Sequence, residues 1–306
     1  MLDRRTLMAG LAISPQLFGG TTSAQTIPGK AANHEAPTSA QRAKDILRNG
    51  LKEKLTRGEL AVSMSVRLVR SPEIAQLASA CGFDSFYIEM QHSSFTVAEI
   101  SAICQAALLV GITPLVRVPS IAPEYVGRVL DGGALGIIAP EIQSAEEVRN
   151  LVAAAKLPPA GDRSAPGGQL FQLRYRSYPT VEAYEAQNDA TMVVVMIENL
   201  NALKNVEEIA AVKGLDMLFV GVSDLSNSMG IPGQPDHPRV RDAYARVIAA
   251  AQRNGKYVGI GGLSSRPELV PQYVQMGARF ISAGTDLAFL MEGASGRAKR
   301  NREVRF

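Results

Sequence analysis

Residues able to do chemistry stand where the apolar runs of this sequence end. Glu89, Gln91 and His92 close or follow the run SFYIEM, Arg117 closes TPLVRV, Glu198 closes MVVVMIE, and Asp224 follows MLFVG within LFVGVSDLSNSMG (218–230). The interval from Glu198 to Asp224 has the length of one strand–helix–strand passage, so the two carboxylates project from neighbouring strands toward one small volume. Like charges held close repel unless a proton or a cation lies between them, and hard oxygen ligands suit Mg²⁺ or Mn²⁺. A plainer reading is equally open, in which Glu198 caps a helix beginning near Asn201 and Asp224 caps its own turn. Arg117 lies in an apolar strand context where a charge needs a partner. Either it forms an ion pair with Glu89 or Asp131, or its planar fork binds a substrate carboxylate or a developing oxyanion. His92 is either a hydrogen-bonded structural residue or a general base that titrates near neutral pH.

These residues need a framework that brings strand ends together. Strands are expected at 61–68, 85–90, 113–118, 135–140, 192–198, 217–221, 257–262 and 279–284, with segments of helical period between them. Several of those segments close on glycine, as C-capped helices do. Strands without strict alternation, separated by helices, indicate a parallel sheet covered on both faces. Eight such units make a closed (β/α)₈ barrel the leading architecture, with an open doubly wound sheet as the alternative. No G-x-G-x-x-G follows the first strand, which counts against a dinucleotide fold. In a barrel of this kind the C-terminal strand ends form the active face, where the residues named above all fall. The longest irregular stretch, 157–179, carries Arg163, Arg174 and Arg176 and is expected either to shape selectivity or to pack against a neighbouring subunit.

The chain of 306 residues is 46% hydrophobic and 20% charged, ordinary globular composition, and its net charge of +3 comes without any Lys/Arg-rich run. Nucleic acid is therefore not an expected partner. At the N-terminus, Arg4-Arg5 precede an apolar stretch from Leu7 to Phe18 and a small-residue exit at Thr22-Ser23-Ala24. That order reads as a cleavable twin-arginine export signal over 1–24, which implies a periplasmic protein; without export it would be cytoplasmic. The apolar stretch is shorter than the roughly 20 residues that span a bilayer, so no membrane partner is expected after cleavage. Residues 25–43 read as a linker, and 44–306 as one barrel domain. Cys81 and Cys104 are expected to be buried, inert thiols.

The series YIEMQHSSF, TPLVRVPS, RVLDGGALGIIAP, PPAGDRS, VVVMIENLNALKNVEEIAAVKGLD and LFVGVSDLSNSMG resembles the HpcH/HpaI aldolase/citrate lyase family of metal-dependent, class II pyruvate aldolases, from about Gly58 to Leu290. The resemblance implies a TIM barrel of the phosphoenolpyruvate/pyruvate-binding type, assembled as a homo-oligomer, commonly a hexamer. It implies cleavage or formation of 4-hydroxy-2-oxo acids through a pyruvate enolate, with an aldehyde as second product or substrate. By the same resemblance Glu198 and Asp224 are metal ligands for Mg²⁺, Mn²⁺ or Co²⁺, and backbone N–H groups near Ser223 and Asp224 hold the substrate carboxylate. Arg117 steadies the enolate oxygen, and His92 moves protons, oriented by Asp131. The chain departs from the family pattern at Glu89, Gln91, Ser223 and Met196. Glu89, Gln91 and Met196 favour the alternative of an exported binding protein for 2-oxo acids without turnover, and a lyase of the citrate-lyase or malyl-CoA-lyase type is the runner-up among enzymes.

Overall fold

Eight apolar runs form the parallel strands of a closed barrel, in chain order, in a computed structural model that describes residues 41–305 other than 168. The strands are β1 (Ala61–Val66), β2 (Ser85–Glu89), β3 (Thr113–Arg117), β4 (Gly136–Ala139), β5 (Met192–Ile197), β6 (Met217–Gly221), β7 (Tyr257–Gly261) and β8 (Phe280–Thr285). The barrel closes where β1 pairs with β8, Ala61 opposite Phe280. The (β/α)₈ expectation is met and the open sheet is excluded. The export signal and residues 25–40 lie outside the described residues.

The helices are α1 (Ala43–Ile46), α2 (Gly50–Thr56), α3 (Glu73–Ala80), α4 (Val97–Val110), α5 (Pro123–Asp131), α6 (Ala145–Ala155), α7 (Thr180–Ala190), α8 (Leu200–Lys204), α9 (Val206–Ala210), α10 (Val222–Ser228), α11 (Pro238–Arg253), α12 (Val270–Met276) and α13 (Asp286–Arg302). Ala43, assigned to the linker from sequence, is buried and opens α1. Local chemistry sets several ends. Thr96 with Glu99 and Ser144 with Glu147 form capping boxes that satisfy the first N–H groups of α4 and α6. Gly111 takes φ +78 to close α4, a conformation that a Cβ would oppose. Among the described residues no helix is long and apolar enough to cross a membrane.

Although every residue of β5 is buried, its side chains alternate between two environments. Met192, Val194 and Met196 point into the barrel, where they pack with Tyr87, Leu115, Met217, Phe219 and Phe280. Val193, Val195 and Ile197 point outward to the helix layer. The inner core is continued by Leu51 and Leu55 of α2, which lies against the N-terminal end of the barrel. At about 25 cal/mol per Å² of apolar surface, each such leucine contributes roughly 1.5–3 kcal/mol. One step beyond the inner residues Tyr87, Leu115, Met196 and Phe219, the same alternation turns Glu89, Arg117, Glu198 and Gly221 toward the C-terminal mouth.

One expectation is corrected by the fold, that both thiols are buried. The 157–179 segment follows α6 and packs on the outside of the barrel, where Gln172 Nε2 donates to the Leu130 carbonyl at 2.8 Å. Arg163 is buried and paired with Asp131, and Arg176 Nη1 reaches Gln41 Oε1 at 3.4 Å. None of the three arginines lines the cavity at the C-terminal mouth. Of the two free thiols, Cys104 is buried and burial pushes its pKa up, whereas Cys81 is exposed at the C-terminal end of α3.

Candidate active site

A cavity of about 330 Å³ opens at the C-terminal ends of the strands, with Tyr87, His92, Arg117, Met196, Ser223 and Asp224 among its walls. Its organising contact is the pair Glu89–Arg117. The two residues are register partners on β2 and β3, Glu89 is only 1% exposed, and one of its carboxylate oxygens accepts the Arg117 Nε–H at 2.6 Å and also contacts Nη2. Burial works against the Arg117 charge, but the adjacent Glu89 carboxylate outweighs it and raises the pKa above its ordinary value. The other Glu89 oxygen accepts the backbone N–H groups of Gln91 (2.8 Å) and His92 (3.0 Å). One buried carboxylate thus fixes both the guanidinium and the turn that carries the histidine. Among the described residues Arg117 Nη1 meets only the Met196 sulfur, at 3.6 Å, and remains available at the cavity wall.

The Asp224 charge acts on Glu198, and the N-caps of α8 and α10 are Asn199 and Gly221 rather than either carboxylate. Asn199 caps α8 through the Ala202 N–H at 2.8 Å. Glu198, 6% exposed, accepts the Glu141 N–H on Oε1 at 2.6 Å. Glu141 holds a left-handed φ of +58, unusual for a residue with a side chain, and that conformation aims its N–H at Glu198. Glu198 Oε2 lies beside Gly221, where a Cβ would come within 2.9 Å of it; glycine leaves the space the carboxylate occupies. Burial raises the Glu198 pKa, the Glu141 N–H opposes the rise, and the nearby Asp224 charge adds to it. Asp224, in the first turn of α10, is exposed to the cavity and makes no side-chain hydrogen bond among the described residues.

That donor set fits a divalent metal. Two carboxylates that repel each other, one of them desolvated, leave oxygens unengaged by hydrogen bonds, and a hard cation relieves both costs. Among the described residues no group of three or more His, Cys, Asp or Glu side chains is arranged to hold a metal. Glu198 and Asp224 are two carboxylate donors, fewer than such a group would need.

Ser223 and Asp224 occupy the first turn of α10, where backbone N–H groups have no intrahelical acceptor. His92 lines the cavity, and its side chain makes no hydrogen bond among the described residues. Asp131 is the correction. It is the last residue of α5, which runs back from the mouth toward the start of β4, and its carboxylate pairs with Arg163 at 2.5 Å. Within one chain it does not orient His92. Two residues of the site escaped the sequence reading: Arg67, which lines the cavity, and Glu141, whose side chain accepts from Gln91 Nε2 at 3.3 Å. Arg67 lies inside the first expected strand, 61–68, so the strand-end criterion that found Arg117 applies to it as well. The Glu141 contact with Glu198 runs through a backbone N–H and leaves no mark in residue type.

Comparison with known proteins places the chain in a family. The family described as HpcH/HpaI aldolase/citrate lyase matches residues 67–292. A 4-hydroxy-4-methyl-2-oxoglutarate aldolase from Hapsidospora irregularis is 41% identical over 249 residues, covering 80% of this chain and 92% of the relative. A 4-hydroxy-2-oxo-heptane-1,7-dioate aldolase from Salmonella typhimurium is 34% identical over 254 residues, covering 83% and 95%. The crystal structure of an HpcH/HpaI aldolase from Desulfitobacterium hafniense superposes with a TM-score of 0.79 at 32% identity, covering 83% of this chain and 97% of that one. The chain is a member of the HpcH/HpaI aldolase/citrate lyase family.

Proposed function

We propose that this protein is a metal-dependent aldolase that cleaves or forms 4-hydroxy-2-oxo acids through a pyruvate enolate. The observation that carries the reading is the convergence of Glu198 and Asp224 beside an arginine held by a buried glutamate and a histidine on the same cavity. Glu198 and Asp224 would hold Mg²⁺, Mn²⁺ or Co²⁺, which when bound supplies a Lewis acid for the 2-oxo acid's oxygens. The remaining steps belong to the chain. The first-turn N–H groups of Ser223 and Asp224 bind the 2-oxo acid carboxylate. Arg117, with Nε and Nη2 committed to Glu89, presents Nη1 to the charge that develops on the keto oxygen. In cleavage, His92 accepts the C4 hydroxyl proton as the C3–C4 bond breaks, releasing an aldehyde and leaving the electron pair in the enolate of pyruvate. Protonation at C3 completes the product, and synthesis runs these steps in reverse.

The reading is tested by pyruvate release from 4-hydroxy-2-oxo acids with and without Mn²⁺. Metal-dependent release supports it; oxalate binding without release from any such acid identifies a binding protein instead. A homo-oligomer is part of the same reading, supported by α13, which exposes Leu287, Phe289, Leu290 and Met291. Periplasmic location is supported by Arg4-Arg5 and the apolar run behind them, and cell fractionation tests it.

A further inference from the structure

The Arg67 guanidinium lines the cavity without an anion. Its Nη2 reaches the His92 carbonyl oxygen at 3.4 Å, and among the described residues it pairs with no carboxylate. The other arginines nearby are committed. Arg117 is bound to Glu89, and Arg70 to Glu99 and Ser94, with its guanidinium 4.6 Å from the centre of the Phe95 ring. Although the Arg67 side chain is exposed, its backbone is held. Asp286, 7% exposed, accepts the N–H groups of Arg67 (2.9 Å), Leu68 (2.9 Å) and Val69 (2.8 Å). A cation on a fixed stem, with a long contact to one neutral oxygen, has donors left for a ligand.

Its position says which part of a ligand. In an eight-strand barrel β1 stands opposite β5, so Arg67 faces the Glu198–Asp224 side from across the cavity, with His92 on the intervening β2 end. If the 2-oxo acid half lies on the β5–β6 side, as the aldolase reading requires, the acceptor half extends past His92 toward β1. We propose that Arg67 binds a carboxylate on the acceptor half, so that the protein selects 4-hydroxy-2-oxo acids bearing a second carboxylate over equally long ones whose acceptor half is neutral. The assignment rests on the aldolase reading and adds a specificity residue to it.

The test is the ratio of kcat/KM for a dicarboxylate substrate to that for a neutral-ended substrate of equal length, measured with Mn²⁺ for the wild type, Arg67→Ala and Arg67→Lys. A charge-assisted pair in a cavity predicts that Arg67→Ala lowers the ratio about 30- to 100-fold, chiefly through KM of the dicarboxylate. Arg67→Lys recovers part of it, because charge returns without the fork. If Arg67 merely braces the His92 turn, both substrates lose together and the ratio stays; that result overturns the assignment. Exchange of pyruvate C3 protons into heavy water separates the two layers of inference. A wild type that exchanges them but shows an unmoved ratio in Arg67→Ala defeats the assignment alone, whereas one that neither exchanges nor cleaves defeats the aldolase reading and the assignment with it.

Discussion

The two mouths of the barrel carry comparable sets of charged residues and use them differently. At the N-terminal mouth almost every polar group is consumed by backbone. Asp216 accepts the Val193 N–H at 2.8 Å and pairs with Lys52 at 2.9 Å; Asp84 accepts the Val62 N–H at 2.8 Å and pairs with Lys54 at 2.6 Å. Asn49 donates to the Leu135 and Ala190 carbonyls, and Lys156 to those of Asn188 and Thr191. A depression of about 940 Å³ lies there, larger than the C-terminal cavity, lined by Lys52, Lys156 and Asp216 among others. At the C-terminal mouth Glu89 and Asp286 are saturated, while Asp224, one oxygen of Glu198, one arm of Arg117 and the guanidinium of Arg67 face the cavity. Charges satisfied by backbone fasten strands and helices together, and charges left over are available for a ligand.

The contrast can be broken by removing groups from either mouth. The largest effect is expected for Asp224→Ala or Glu198→Ala, each of which abolishes Mn²⁺ binding in a calorimetric titration and lowers kcat/KM by at least about 1,000-fold. Both variants retain thermal stability, since neither deletion leaves a buried charge that was previously paired. Arg117→Ala keeps the metal and lowers kcat/KM by roughly 100- to 1,000-fold. It also destabilises the fold by about 3–5 kcal/mol, because Glu89 remains buried without its partner. Wild-type activity in this variant contradicts the role assigned to Arg117. At the other mouth, Asp216→Ala is expected to cost about 2 kcal/mol in chemical denaturation with kcat as in the wild type.

The smallest effect concerns Lys156, whose pKa burial pushes down from 10.5 to about 8, with Asp216 pulling the other way. Between those two values the unfolded chain binds the proton more readily than the folded one, so this residue's contribution to stability rises with pH. Relative to Lys156→Met, the wild type therefore gains between about 1 and 2 kcal/mol from pH 8 to pH 10. Parallel denaturation curves at the two pH values, with no relative gain, would show that the ammonium is not penalised by its surroundings.

The fold was legible because burial on both faces writes each strand as a nearly continuous apolar run, and MVVVMI and MLFVG need no alternation to be recognised. Much of the site was legible for a related reason: a charge that interrupts such a run at its end must leave the core through the mouth, as Glu89, Arg117 and Glu198 do. Asp131 shows where this fails. It ends a helix rather than a strand, so motif order alone could not say which end of the barrel it occupies, and its partner Arg163 comes from an irregular segment. Cys81 fails on a finer scale, since helical period indicates a face but not whether the last turn is covered.

A crystal structure grown with Mn²⁺ and oxalate tests the central claim most directly. The expected result is one Mn²⁺ ligated by Glu198 Oε2 and the Asp224 carboxylate, with oxalate on the open positions and Arg117 at its edge. Mn²⁺ elsewhere, or the two carboxylates turned apart and satisfied by amide groups while oxalate binds without them, would contradict it.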